Sequence, residues 1–259
     1  MIIDVNVYLS RWPLRRLPCD ELPKLVERLQ ACGVTRAWTA SFDGLLHKDV
    51  GGVNERLAAE CRQVPAGLLQ PFGTVNPTLP DWREELRRCH EVHRMPGIRL
   101  QPNYHGYTLD HPGFAELLQL AAARGLIVQL AVRMEDPRMQ HPLLRVPDVD
   151  TTLLPDLVTA VPDLQLVLLN ALQILPGDRL SALARTGRVY FEIATLEGVA
   201  GIASLVTRVP LECVLFGSYS PFFILESAVL KLRESELSPA QLDAITFENA
   251  RRIGTQLRQ

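Results

Sequence analysis

The chain has 259 residues, of which 47% are hydrophobic and 22% charged, and its formal net charge is −2. This hydrophobic content excludes a disordered chain. A net charge near zero does not indicate binding to nucleic acid or to an anionic membrane. The sequence has no run of 18 apolar residues and no signal-peptide pattern at its start. We therefore predict a cytoplasmic protein that does not span a membrane.

Short apolar runs alternate with segments of helical period along the chain. The runs that we predict as strands are 2–9, 36–40, 69–75, 97–100, 127–132, 166–169, 189–193 and 214–216. The predicted helices are 20–32, 53–64, 81–93, 113–124, 151–161, 178–186, 199–208 and 224–234, then 239–247 and 248–256. Asp20 is the predicted N-cap of the first helix, and Gly33 is predicted to end it.

The strands are almost continuously apolar, which is typical of parallel strands buried on both faces. Eight strand–helix units of about 30 residues each fit a (β/α)8 TIM barrel, an α/β fold, built as a single domain over residues 1–259. A doubly wound open sheet is the alternative. It is disfavoured because no glycine-rich phosphate turn follows any strand.

A barrel places its chemistry on the loops after the strands. Three of these loops are long, at Ser10–Cys19, Pro102–Pro112 and Met134–Val149, and long loops are usually functional. Alternation of side chains along the first strand predicts that Asp4, Asn6 and Tyr8 share one face. The polar or aromatic residues at the other strand ends are Arg99, Gln101, Gln129, Arg133, Asn170, Glu192 and Tyr219.

The order of these segments resembles the amidohydrolase superfamily, specifically the amidohydrolase-related branch of metal-dependent TIM-barrel hydrolases and decarboxylases. The segments that carry the resemblance are Ile3-Asp4-Val5-Asn6-Val7-Tyr8, Gly97-Ile98-Arg99-Leu100-Gln101-Pro102, Leu166-Val167-Leu168-Leu169-Asn170, Phe216-Gly217-Ser218-Tyr219-Ser220-Pro221 and Phe247-Glu248-Asn249-Ala250. The resemblance implies metal-dependent hydrolysis or decarboxylation of small carboxylates, lactones or amides, with zinc or another divalent cation as cofactor.

The chain departs from this family at the positions where the resemblance implies metal ligands. Asn6 and Tyr8 stand where the family has a His-x-His pair, and Ala131 and Asn170 stand where it has single histidines. Tyr219 replaces the aspartate that binds metal and acts as base in the family. A catalytic zinc site needs about three ligands from His, Asp, Glu or Cys. We therefore predict no metal ligands and no bound cofactor.

Histidine and arginine are the remaining candidates for chemistry. Four histidines, at 47, 105, 111 and 141, fall in loops after strands. His105 is the best single candidate for a general acid or base, whereas His111 and His141 precede proline and suggest a loop-shaping role. Arg99 and Arg133 either pair with Asp4 or Glu192 inside the barrel mouth or clamp a substrate carboxylate.

Three functional hypotheses follow, and whether catalysis survives is left open between them. The leading one is a non-catalytic member, a pseudoenzyme, that binds a small ligand, with an anion as one candidate class. The residues predicted to line its pocket are Asn6, Tyr8, Arg99, Gln101, Arg133, Asn170 and Tyr219. The second is a metal-independent hydrolase or lyase that acts on a small anion through His105 with Arg99 or Arg133. The third is a homo-oligomeric structural homologue with a filled pocket.

Overall fold

The computed structural model describes residues 1–65 and 67–255 and contains eight parallel strands in the order β1 to β8. The strands are β1 Ile2–Leu9, β2 Val34–Ser41, β3 Leu69–Thr74, β4 Gly97–Leu100, β5 Ile127–Ala131, β6 Gln165–Leu169, β7 Val189–Glu192 and β8 Val214–Leu215. The barrel closes where the Val5 N–H donates to the Phe216 carbonyl and the Tyr8 N–H to the Ser220 carbonyl. The predicted TIM barrel is confirmed, and the open-sheet alternative is wrong because β1 meets β8.

Helices connect successive strands, as the periodicity predicts. They are α1 Leu22–Ala31, α2 Val50–Arg62, α3 Trp82–Glu91, α4 Pro102–His105, α5 Pro112–Ala123, α6 Leu154–Ala160, α7 Gly177–Ala184, α8 Gly201–Val206, α9 Leu225–Glu234, α10 Pro239–Asp243 and α11 Asn249–Thr255. Short 3₁₀ turns occupy Phe42–Leu45 and Leu211–Cys213, and one π turn occupies Ala244–Glu248. Among the described helices, none is long and apolar enough to cross a membrane.

Two local expectations are modified by the structure. The N-cap position of α1 is Glu21 and not Asp20, and the Glu21 side chain makes no capping hydrogen bond with the described helix. Asp20 does not cap the helix because its carboxylate accepts from the Arg16 guanidinium and the Leu17 N–H. Gly33 does end this helix, with φ of +79°. The predicted loop 102–112 contains the one-turn helix α4. The final residue of the predicted helix 248–256 lies outside the described residues.

The apolar side chains form three layers. The largest cluster lies between the strands and the surrounding helices. A second cluster fills the lower barrel interior around Ile3, Val5, Trp38 and Phe72. A third lies over the carboxyl ends of the strands, where a solvent-filled mouth would otherwise be.

An irregularity in β1 changes the direction of its side chains. The pairing of β1 with β2 shifts between Asp4 and Val7, and such a bulge breaks the alternation of a strand. Ile3 and Val5 therefore face the barrel interior below the shift, whereas Val7 packs toward the helices above it. The predicted shared face of Asp4, Asn6 and Tyr8 is wrong for Asp4, whose carboxylate faces Ser218 after β8.

Candidate functional site

Two amides and a carboxylate form a buried network at the carboxyl ends of β1, β6 and β7. The Asn6 Nδ2 donates to Asn170 Oδ1 at 3.0 Å and to Glu192 Oε1 at 3.3 Å. Glu192 also accepts from the backbone N–H groups of Asn170 and Ala194, at 2.6 and 2.5 Å. Burial raises the pKa of Glu192, and these hydrogen bonds oppose the rise. The network joins two positions, Asn6 and Asn170, that the sequence analysis predicted to line one pocket.

A second buried carboxylate, Asp4, bridges β1 to the segment after β8. It accepts from the Asn6 and Ser218 N–H groups, each at 3.0 Å, and from the Ser218 hydroxyl at 2.5 Å. Burial raises the pKa of Asp4 to about 7 although the Ser218 hydrogen bonds lower it. The sequence showed an acid at this position, but its serine partner is 214 residues away and had no pattern that could reveal it.

Arg99 is fully buried in the barrel and makes no ion pair among the described residues. Its Nε donates to Gln129 Oε1 at 2.7 Å. Its two Nη groups donate to the Val7, Trp38 and Val5 carbonyls, at 2.9, 3.0 and 3.2 Å, and to Asn6 Oδ1 at 3.5 Å. The predicted pairing of Arg99 with Asp4 or Glu192 is wrong, because backbone carbonyls at the strand ends take its donors. A guanidinium has five N–H groups, so none remains for a substrate carboxylate in this structure.

Arg133 binds residues of the loops that follow β5 and β6. Its guanidinium makes a two-point ion pair with Asp148, with Nε 2.7 Å from Oδ1, and its Nη1 donates to Gln173 at 3.1 Å. Asp148 lies near the end of the long loop 134–149, so this pair ties the end of the loop to the strand that it leaves. The predicted pairing of Arg133 with Asp4 or Glu192 is therefore also wrong, and the structure places this arginine apart from Arg99.

Aromatic side chains fill the space above the polar network. We call the following set the aromatic plug: Tyr8, Trp12, Phe42, Tyr104, Tyr219 and Phe222. Tyr8 stacks on Phe42 with centroids 4.5 Å apart, and Tyr219 stacks on Phe222 at 4.9 Å. Trp12 contacts the edges of Phe42 and Phe222 at 5.3 and 5.1 Å. Such pairs are attractive beyond the area that they bury.

The aromatic plug is tied to the barrel from below and from the side. The Arg99 guanidinium lies 4.4 Å from the Tyr8 ring centroid, a cation–π contact. The Tyr219 hydroxyl donates to the Met134 carbonyl at 2.5 Å. Alanines at three strand ends, Ala40, Ala131 and Ala194, belong to the same cluster and leave room for the rings. Tyr8 and Tyr219 are 0% and 1% exposed, so solvent does not reach the strand ends through the plug.

The predicted acid–base candidate His105 lies at the end of α4, beside the turn after β2. Its Nε2 is 2.8 Å from the Gly44 carbonyl oxygen, which requires the tautomer that donates from Nε2. Burial lowers the pKa of His105, and its buried Nδ1 has no hydrogen-bond partner within the described part of the chain. Its neighbour Gln101 is 1% exposed, and neither atom of its amide group has a partner among the described residues. An internal space of about 10 Å³ beside Gln101 is large enough for about one water.

His111 and His141 shape the backbone of their loops. The Nδ1 of His111 accepts the Gly113 N–H at 3.1 Å, and that of His141 accepts the Leu143 N–H at 3.2 Å. In each case the imidazole caps a turn two residues further along the chain. The loop-shaping role that their position before proline predicted is confirmed.

The family and the fold agree once the chain is compared with known proteins. The family model described as Amidohydrolase matches residues 14–253. The chain belongs to the amidohydrolase family. Similar solved structures include a 2,6-dihydroxybenzoate decarboxylase from Rhizobium, at 15% identity over 98% of both chains with a TM-score of 0.76. The IDCase of Metarhizium anisopliae is similar at 16% identity over 100% of this chain and 98% of that one, with a TM-score of 0.78.

A further similar structure was determined with its metal. A dihydroxybenzoic acid decarboxylase from Polaromonas sp. JS666, with bound manganese and the inhibitor 2-nitroresorcinol, is 12% identical over 100% of this chain and 97% of that one, with a TM-score of 0.75. At these identities the likeness shows the fold. A search of curated proteins finds no match to the sequence.

The residues at this family's metal positions do not fit a divalent cation in this chain. Within residues 1–65 and 67–255, no three His, Cys, Asp or Glu side chains are grouped to hold a metal. The Asn6 Oδ1 faces Arg99, and the Asn6 Nδ2 faces Asn170. A cation among Asn6, Tyr8 and Tyr219 would lie against the Arg99 guanidinium, and like charges in a buried site repel strongly.

Proposed function

We propose that this chain is a non-catalytic, structural member of the amidohydrolase family that has lost the metal-dependent chemistry of the family. The observation that carries the proposal is the aromatic plug, which occupies the strand ends where a TIM-barrel enzyme binds its substrate. Below the plug, Asn6, Arg99, Gln129 and Glu192 have no exposed surface. A substrate would have to displace a packed core cluster to reach them.

The polar groups support the same proposal because the barrel already satisfies most of them. Glu192 and Asp4 each accept from backbone N–H groups, and the five N–H groups of Arg99 face acceptors of the barrel. A catalytic site instead keeps polar groups directed toward a substrate. As part of this proposal we predict that the protein forms homo-oligomers. Light scattering of the purified protein tests this prediction.

The competing function is a metal-independent hydrolase or lyase that uses His105 with Arg99 or Arg133. This function would need one of the two arginines to face an anion beside the histidine. Arg99 instead donates to the strand ends, and Arg133 pairs with Asp148. The structural proposal therefore accounts for more of these contacts than the catalytic one.

Metal analysis and a turnover assay test the proposal together. We expect protein purified after growth with added manganese or zinc to hold less than about one tenth of an equivalent of either metal. We also expect no carbon dioxide release from 2,6-dihydroxybenzoate with or without added manganese. Stoichiometric metal that survives dialysis would contradict the proposal, as would turnover that disappears in a His105→Ala variant.

A further inference from the structure

A cleft of about 470 Å³ opens at the amino-terminal ends of the strands, at the end of the barrel opposite the aromatic plug. The start of β2, β3 and β5 forms its floor, and the connections that lead into β4 and β5 form one wall. Helix α11 and the π turn before it form the other wall. This volume lies within the range of about 300–1,000 Å³ that small-molecule sites occupy.

The charged residues that line this cleft are all basic. Four arginines, Arg36, Arg94, Arg124 and Arg251, line it together with His90, and no Asp or Glu is among its described lining residues. Arg251 pairs with Glu248, and Arg124 donates to the Leu120 carbonyl at 3.0 Å. Glu248 offsets the charge of Arg251, and the other three guanidinium groups give this concave surface a positive potential.

Two of these arginines are available for a ligand. Arg36 and Arg94 are exposed, and among the described residues neither guanidinium has a hydrogen-bond or ion-pair partner. Arg36 projects from β2, and Arg94 lies just before β4 with a left-handed φ of +54°. They reach the same cleft from different elements although 58 residues separate them in the chain.

The floor of the cleft combines an amide with apolar surface. The half-buried Gln70 side chain has no hydrogen-bond partner among the described residues. Trp38, only 2% exposed, stacks on Phe72 with ring centroids 5.1 Å apart and packs under the floor. The half-buried Phe247 supplies further apolar lining, and Ile127 is buried beneath the floor. The cleft therefore offers guanidinium donors at its rim and an apolar surface for the rest of a ligand.

We propose that this cleft is a binding site for a small organic phosphate. A phosphate monoester carries up to two negative charges and three terminal oxygens, which suit several guanidinium groups. A single carboxylate has fewer acceptor sites and less charge for the same set of arginines. The apolar floor contacts the organic part of the ligand. The proposal is independent of the function at the strand ends, since the two sites lie at opposite ends of the barrel.

Calorimetric titration of the full chain with four matched compounds tests the proposal. The compounds are phenyl phosphate, inorganic phosphate, benzoate and phenol. We expect saturable binding of phenyl phosphate that is at least tenfold tighter than that of each of the other three. Equal affinity for benzoate or phenol would overturn phosphate recognition, and equal affinity for inorganic phosphate would overturn the role of the organic part. The absence of saturable phenyl phosphate binding would overturn the site itself.

Two double variants locate the binding. Arg36→Ala/Arg94→Ala removes the two unpaired arginines of the cleft, and we expect it to weaken phenyl phosphate binding at least tenfold. Arg145→Ala/Arg208→Ala is the matched control, because it removes the same charge from exposed positions that do not line the cleft. We expect its affinity to stay within about twofold of the wild type. An equal loss in both variants would overturn the proposal, and unchanged thermal melting of each variant verifies that it is folded.

Discussion

At the scale of single residues, Arg99 shows how a buried charge can be held without an opposite charge beside it. Its hydrogen-bond acceptors lie on β1, β2 and β5, so one side chain of β4 links four strands across the barrel interior. Burial lowers the pKa of Arg99, and the carbonyl dipoles with the Tyr8 ring compensate the lost hydration. We infer that this arginine acts as a structural tie.

Replacing Arg99 tests this structural role. We expect Arg99→Met to lower the free energy of unfolding by at least about 3 kcal/mol, because it leaves several buried acceptors without donors. Arg99→Lys retains the charge but not the planar arrangement of donors, and we expect an intermediate loss. Urea denaturation measures both effects. A change below about 0.5 kcal/mol in Arg99→Met would mean that the side chain is not a structural tie.

Asp4 makes stability depend on pH in a direction opposite to that of a paired carboxylate. Its pKa is about 7 in the folded chain and near 3.8 when exposed. Between these values the folded state binds more protons than the unfolded state, so the free energy of unfolding decreases as pH rises through this window. The slope from one group approaches about 1.4 kcal/mol per pH unit. Above about pH 7 Asp4 is ionised in both states, so its contribution to the free energy of unfolding no longer changes with pH.

The Asp4→Asn variant removes this titration and keeps an acceptor for the Ser218 N–H. We expect the stability of Asp4→Asn relative to the wild type to increase from pH 4 to pH 7 and then to stay constant. Glu192 also has a raised pKa and is present in both proteins, so the difference between them reports the titration of Asp4 together with its repulsion from Glu192. Chemical denaturation at a series of pH values measures it. If the free energies of unfolding of the two proteins change in parallel from pH 4 to pH 7, Asp4 is not protonated in the folded state over this range.

At the scale of elements, the loops after β1, β2 and β8 build the aromatic plug together. Trp12 comes from the first of these loops, Phe42 from the turn after β2, and Phe222 from the segment after β8. Each loop alone would expose its ring to water. Packed together, the three rings form a core cluster that closes the strand ends, so these loops stabilise the barrel instead of opening it.

Phe42 is the residue at which this role is most easily tested. It is 1% exposed and contacts Tyr8, Trp12 and Phe222. We expect Phe42→Ala to cost about 3–5 kcal/mol, because it leaves a cavity in a packed cluster, and to expose Trp12 to acrylamide quenching of its fluorescence. Phe42→Leu is the matched control, with an expected cost of about 1 kcal/mol. The prediction is contradicted if both variants lose little free energy of unfolding and acrylamide quenches the wild-type Trp12 fluorescence strongly.

The element boundaries were largely predictable because they depend on local patterns. The strand 97–100 and the five-residue core of β5 follow from apolar runs that a single polar residue interrupts, and Gly33 ends its helix as a glycine commonly does. Asp20 was misassigned as a cap because Arg16, four residues earlier, binds its carboxylate. The bulge in β1 was missed because nothing in the pattern of residues 4–7 breaks the alternation.

At the scale of the whole molecule, the fold is that of an amidohydrolase barrel, whereas we propose that its strand ends have lost the ligand chemistry of the family. In a metalloenzyme, binding of the metal to the folded state adds to stability. Here Arg99 supplies the buried positive charge, and a hydrogen-bond network joins Asn6 to Asn170. We infer that this barrel is stable without a cation at the strand ends.

Removal of metal should therefore leave the thermal stability of this protein unchanged. We expect the melting temperature to shift by less than about 1 °C when excess EDTA is added, and by less than about 1 °C when manganese or zinc is added instead, because a ligand stabilises only the state that binds it. Differential scanning calorimetry measures both shifts. A decrease of several degrees in EDTA, reversed by one equivalent of metal, would contradict the inference.

The barrel and the order of its elements could be predicted from the sequence, and the replacement of the family's ligands by Asn6, Tyr8, Asn170 and Tyr219 stays a prediction made from it. These features depend on the period of apolar residues and on the identity of residues at strand ends, which are local properties. The cytoplasmic location and the single domain stay predictions of the same kind.

The contacts of the strand-end residues could be learned only from the three-dimensional fold. The acceptors of Arg99 lie 30 to 94 residues away in the chain, and the hydroxyl that binds Asp4 lies 214 residues away. The plug likewise joins Trp12 to Phe222. Because hydrogen bonds and ring contacts depend on distance in space, no local pattern could show that Arg99 faces carbonyl groups and that aromatic rings close the mouth.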